Sequence, residues 1–214
     1  MHVQAHFSES RKPILHDLIQ KHPLATFIIY CDEIIIDHFP LVLDNVGEHG
    51  VLKGHVPRAN DLWKALGNGQ QAVAVFQGPE AYITPSWYPS KHKHGKAVPT
   101  WNYVVVHAHG VPLAVHNRDW LLAHLNQLTD QQESGRNPPW KVSDAPTDFT
   151  DKTLEMIVGI EMPISTLIGK WKVSQNRSPA DRMEVAAGLK DRGASGDLDM
   201  EDMVMRAINN LSSQ

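Results

Sequence analysis

The chain has 214 residues, 42% hydrophobic and 21% charged, with a net charge of −4, so it can build one large domain and has no bulk basic character for gripping nucleic acid. Its lone cysteine, Cys31, excludes an internal disulfide and a cysteine-pair zinc site, and in the run TFIIYC it reads as a small buried hydrophobe. The opening residues MHVQAHFSES carry no apolar leader, and no apolar run approaches about 18 residues, so the expectation is a cytoplasmic protein without a membrane span.

Residues 10–22 read as a helix with Leu15, Leu18 and Ile19 on one face, stopped by Pro23. LATFIIYC (24–31) and IIIDHFPLVL (34–43) read as a hairpin, with Pro40 at an edge or bulge because proline cannot donate to a sheet ladder. VLKGHV (51–56) is a third strand, and ANDLWKALG (59–67) a short helix ended by Gly67. QAVAVFQ (71–77) is a buried strand. A short strand, 81–84, then breaks at Pro85 and Pro89 into a basic loop, Lys91–Lys96. The chain restarts after Pro99 and runs into the β-branched stretch Val104–Val106. Residues 111–115 extend the sheet.

Asn117 caps an amphipathic helix, 118–129, whose apolar face is Trp120, Leu121, His124, Leu125 and Leu128. A Pro- and Gly-rich loop, a helix near 149–157 and a strand from Ile157 to Met162, ended by Pro163, follow. Ser178-Pro179-Ala180-Asp181 is a strong helix start for 178–192. Gly193 and Gly196 form a hinge before a methionine-rich amphipathic helix, 199–211, whose bland role is packing on its own domain or on a second subunit. The expectation is α+β, mainly antiparallel β, with the strands closed into a barrel or sandwich. The domain would span 1–192, with a C-terminal helical extension over 193–214.

Three cationic segments stand out. His55, Arg58 and Asn60 lie at a strand-to-helix junction, where free N–H groups and a guanidinium suit a phosphate. Lys96 belongs to the basic loop, between Trp87 and Trp101. Lys172 lies in GKWKVSQNR, with Trp171, Gln175 and Arg177. An aromatic beside cations suits a stacked heterocycle with an anionic tail, although core or interface packing is the commoner fate of tryptophan. His107 and His109, two apart on a strand, face one side and could chelate a metal, but no third ligand stands at a convincing spacing. No nucleophile elbow, Walker loop or GxGxxG is present. The last two helices flank an acidic turn, a poor partner for DNA.

HPLATFIIY (22–30), LKGHVPRANDLWK (52–64), the long run from Val75 to Gly110, PPWKVSDAP (138–146) and VGIEMPISTLIGKWKVSQNRSPADR (158–182) together resemble the PaiB-type family of FMN-binding negative transcriptional regulators. The resemblance implies a six-stranded Greek-key FMN-binding split barrel with flanking helices, usually a homodimer with FMN at the subunit interface. It implies a flavin site, for which His55, Arg58, Asn60, Lys96, Trp101, Asn102, Lys172 and Gln175 are the candidates. Arg58 would contact the phosphate, Lys172 or Lys96 would supply the second cation, and Trp101 would flank the ring. DNA binding follows from the family label alone. Related split barrels keep two alternatives open. One is a flavin-dependent oxidoreductase passing a hydride between a nicotinamide and an acceptor. The other is a haem-binding or haem-degrading protein with His92, His94, His107 or His109 as ligand.

Overall fold

The computed structural model describes residues 1–67 and 69–211; of Asn210 and Leu211 it describes the backbone alone. The strands are β1 (Ser8–Glu9), β2 (Leu24–Cys31), β3 (Glu33–Pro40), β4 (Val42–Asp44), β5 (Val51–Pro57), β6 (Ala72–Ile83), β7 (Thr100–Gly110), β8 (Leu113–Val115) and β9 (Ile157–Lys172). The helices are α1 (Lys12–Lys21), α2 (Pro89–His94), α3 (Arg118–Glu133), α4 (Thr147–Glu155), α5 (Pro179–Arg192) and α6 (Asp197–Leu211). The strands form one sheet in the order β3-β2-β6-β7-β9-β5-β4, with β1 and β8 each pairing β9. The fold is the expected α+β split-barrel type, mainly antiparallel with flanking helices.

The strand count corrects the six expected to nine among the described residues, in an open rather than closed sheet. Proline chemistry accounts for part of this. Pro40 ends β3 on the sheet edge, and its missing N–H divides the anticipated 34–43 strand into β3 and β4. Pro79 and Pro163 do not break their strands. Along β6 the buried positions change from even (Ala72, Ala74, Phe76) to odd (Ala81, Ile83), so Gln77–Glu80 form an irregular segment in which a proline is tolerated. Pro163 stands opposite Val51 at the end of the β5 ladder, after which the Ile164 N–H bonds to the Gly50 carbonyl. β9 therefore continues through GKWK to Lys172, where the sequence suggests a separate segment after Pro163.

Lys91–Lys96 is likewise not a plain loop. Pro89 supplies a preset φ at the first helical position, and Gly95 ends α2 in the left-handed conformation at φ 69°. Cys31 is half-exposed and donates to the Ala65 carbonyl at 3.2 Å, instead of lying in the core.

The chain divides into two compact units. The first comprises Met1–Leu15, Gln77–Val106 and Ile168–Gln214. Its core includes Phe7, Ile83, Tyr88, Val104, Val173, Val185, Leu189, Met200 and Val204. Ser178 caps α5 by accepting from the Asp181 N–H, Gly193 closes it at φ 57°, and α6 packs on α5. The second unit comprises His16–Phe76 and His107–Leu167. Phe27, Ile29, Phe39, Leu52, Leu121, Ile160 and Met162 are among its core residues.

Candidate functional site

In the first unit, β7 and β9 bring several of the anticipated residues together. The Lys172 ammonium donates to the Trp101 carbonyl at 2.5 Å and to the Thr100 hydroxyl. Asn102 is buried and donates to Ser174 Oγ at 2.9 Å. Ser174 sits at φ 66°, a conformation that a non-glycine residue adopts only under local constraint. Gln175 spends its side chain on the same turn, accepting from the Val173 N–H at 2.7 Å and donating to the Trp171 carbonyl at 2.5 Å. Lys170 lies over the Tyr103 ring at 5.2 Å, and the Arg177 guanidinium over Tyr88 at 4.6 Å. Burial, then the charges of Lys170 and Arg177, push the Lys172 pKa below its ordinary value. None of these three cations is ion-paired among the described residues. The result is concentrated positive charge, of which Arg177 also feels the Asp181 carboxylate, and such a group of cations suits a phosphate. Lys96 lies just beyond α2, exposed, its N–H donating to His94 Nδ1 at 3.0 Å.

In the second unit the anticipated junction is built differently. Arg58 donates through Nε to the Glu155 carbonyl at 2.7 Å and through Nη2 to the Ile157 carbonyl at 2.9 Å, pinning the β5 end to the start of β9. Asn60 caps a 3-10 turn, Asp61–Ala65, by accepting from the Leu62 N–H at 2.9 Å, and its amide donates to Asp37.

His55 pairs with a residue whose sequence pattern marks it only as part of an apolar helix face: His55 Nδ1 and His124 Nε2 are 3.0 Å apart. Trp120 stacks on His124, centroids 5.4 Å apart at 25°, and donates Nε1–H to Glu161 at 2.8 Å. Lys53 lies 5.9 Å over the Trp120 ring and 2.5 Å from the Asp44 carboxylate. Burial, then His55, then Lys53, hold the His124 pKa down at about 4; burial lowers that of His55 too. His124 Nδ1 is buried without a hydrogen-bond partner.

His107 and His109 face one another tilted, centroids 6.3 Å apart, and burial lowers the pKa of each. His109 Nε2 is buried and unpartnered. Among the described residues, no group of three or more His, Cys, Asp or Glu is arranged to hold a metal ion. No described helix is long and apolar enough to cross a membrane.

A family model described as "Putative FMN-binding domain" matches residues 1–166. The chain is 31% identical over 230 residues to an uncharacterized protein of Emericella nidulans, covering 90% of this chain and 92% of that one. It is 27% identical over 192 residues to the protease synthase and sporulation protein PAI 2 of Bacillus subtilis, covering 89% and 90%. The fold is similar to that of an FAD- and heme-binding protein from Mycobacterium smegmatis, with a TM-score of 0.58 at 18% identity over 77% of this chain and 73% of that one. The chain belongs to the FMN-binding domain family, in which the Bacillus PAI 2 protein is a homologue. FMN is the cofactor that this membership specifies, and the unpaired cations around Lys172 fit its phosphate.

Proposed function

We propose that the protein is an FMN-binding regulator that works as a cytoplasmic homodimer, with the flavin phosphate held by Lys172 and supported by Lys170 and Arg177. The observation that carries this is the grouping of those three cations, with no carboxylate ion-paired to any of them among the described residues; burial first, and then the charges of Lys170 and Arg177, lower the Lys172 pKa. Lys172 is oriented by the Trp101 carbonyl and Thr100, and the Asn102–Ser174 bond holds the turn after β9. Flavin would supply redox chemistry, while the chain's own groups bind and orient it. The regulator reading rests on the PaiB-type resemblance and on the name of the Bacillus relative, a protease synthase and sporulation protein. With a net charge of −4 and an acidic α5–α6 turn, control through a partner or through flavin redox state suits the chain better than a DNA-reading surface.

The homodimer draws support from the second unit. On the β2–β3 hairpin, Tyr30 pairs with Ile34 and Ile28 with Ile36. Tyr30, Ile34 and Ile36 are 64%, 67% and 57% exposed, an apolar face of the kind that marks association. FMN titration of the purified protein, followed by flavin fluorescence, tests the cofactor reading. Saturable binding is expected, and no binding at micromolar flavin rejects it. A mobility-shift titration at low salt tests direct DNA contact.

A second reading, haem binding, has one observation behind it: His109 Nε2 is buried, unpartnered and on a ring whose pKa burial lowers, as an imidazole ligand requires. A Soret band on hemin titration that His109→Ala abolishes would support it, and an unchanged spectrum would remove it.

A further inference from the structure

The described part of the first unit contains a recess of about 580 Å³, a volume suited to a small organic molecule. Glu80 and Tyr82 of β6, Trp101 of β7, and Arg192, Gly196 and Asp197 of the α5–α6 turn line it. Its charge is opposite to that of the Lys172 cluster. Arg192 closes on the Asp197 carboxylate with two bonds, 2.7 and 2.5 Å, donates to the Tyr82 carbonyl at 2.9 Å, and stacks on Trp87 at 5.1 Å. Its charge is thereby neutralised within the chain. The Glu80 carboxylate is left as the net charge, accepting one long bond of 3.4 Å from Gln77.

The two aromatic rings stand at 70° to one another with centroids 6.1 Å apart, forming two walls of a box. They are 41% and 52% exposed. Elsewhere among the described residues five aromatic rings already carry a cation: Trp63, Trp87, Tyr88, Tyr103 and Trp120. Tyr82 and Trp101 carry none. Perpendicular electron-rich faces beside an unneutralised carboxylate are the elements of an aromatic cage for an ammonium group.

We propose that this recess binds an organic cation, a quaternary or protonated ammonium, between Tyr82 and Trp101 with Glu80 as counter-charge. The site goes beyond flavin binding and meets the Lys172 cluster at Trp101, whose carbonyl accepts from Lys172 while its ring contacts Tyr82; that ring then serves the recess rather than the flavin. The test is a titration of the flavin-free protein with choline and with its uncharged dimethylbutanol isostere. The readout is the nitrogen-edited NMR signal of the Trp101 indole N–H, assigned with Trp101→Phe. Choline is expected to shift that signal saturably and to bind about tenfold more tightly than the isostere. Glu80→Gln should remove most of that difference without moving signals elsewhere. Equal binding of the two probes, or a Trp101 signal that choline leaves in place, overturns the proposal. A Lys172→Ala variant keeps the two readings apart: choline binding should be intact there whether or not FMN affinity falls. Competition between choline and FMN in the wild-type protein would overturn the separation of the sites.

Discussion

His55 and His124 meet ring to ring through one hydrogen bond of 3.0 Å, and a third ring, Trp120, covers His124. An added proton there must face His55 and Lys53, and burial opposes it first. The His124 pKa of about 4 lies below the 6.5 of an exposed histidine. Between those values the unfolded chain binds a proton that the folded chain refuses. Stability is therefore complete above about pH 6.5 and falls as pH drops toward 4, by up to about 1.4 kcal/mol per pH unit for this group. His55 acts in the same direction. Urea unfolding from pH 7.5 to 5 should show the decline, and His124→Gln should flatten it. A wild-type curve flat over that range would contradict the assignment. Asp44, Asp181 and Asp197, whose pKa values are lowered, lose their contribution only at more acid pH.

A Cβ at Gly159 would run into the six-membered ring of Trp120, which is held by Glu161 and His124. Gly159→Ala is expected to cost about 1–3 kcal/mol through overpacking, measured by urea unfolding. Gly188, against Trp87 in the first unit, should behave alike. Among the described residues Gly67→Ala meets no neighbour within 4 Å, so its cost should come from the backbone, at φ 94°.

Asn102 and Ser174 form a buried side-chain pair, 1% and 3% exposed. Either single alanine variant leaves a buried polar group without its partner, a cost of about 1–3 kcal/mol. The double variant should cost less than the sum of the two, which a double-mutant cycle by thermal or urea unfolding measures.

Lys172→Ala is expected to lower FMN affinity by roughly ten- to a hundredfold, and Arg177→Ala by less, since one lost charge-assisted contact is worth about 1.5–3 kcal/mol. Arg58→Ala should lower stability, because two backbone carbonyls lose their donors, while FMN affinity holds. Flavin fluorescence titrations of the three variants decide the point. A loss of affinity in Arg58→Ala alone would return the phosphate to the β5 junction.

Ile34→Glu with Ile36→Glu should convert a dimer to a monomer in light scattering without unfolding it, because both side chains face outward from the hairpin. Unaltered mass would place the interface elsewhere.

Local signals were readable in the chain itself. Ser178-Pro179 opens α5, Asn117 caps α3, and the β2–β3 hairpin follows from two β-branched and aromatic runs joined at Asp32-Glu33. Proline does not end every strand it enters. Its lost N–H matters only where a ladder needs one, and the positions of Pro79 and Pro163 along their strands decide that. Within the candidate site, the meeting of Lys172 with Trp101 joins residues 71 apart, and that of His55 with His124 joins residues 69 apart. No local pattern encodes such pairings. His124 was visible as a histidine on an apolar helix face, and Glu80 and Arg192 carried no motif at all. Whether Arg58 is free for a ligand depends on carbonyls nearly a hundred residues away.

The α5–α6 pair lies beyond the matched stretch, 1–166, yet Met200 and Val204 are fully buried and Arg192 is latched to the Tyr82 carbonyl. An expression fragment trimmed to that stretch would cut β9 partway along, remove Lys172 with the rest of its end, and uncover Trp87. For anyone preparing this protein, α5 and α6 belong with the strands they cover.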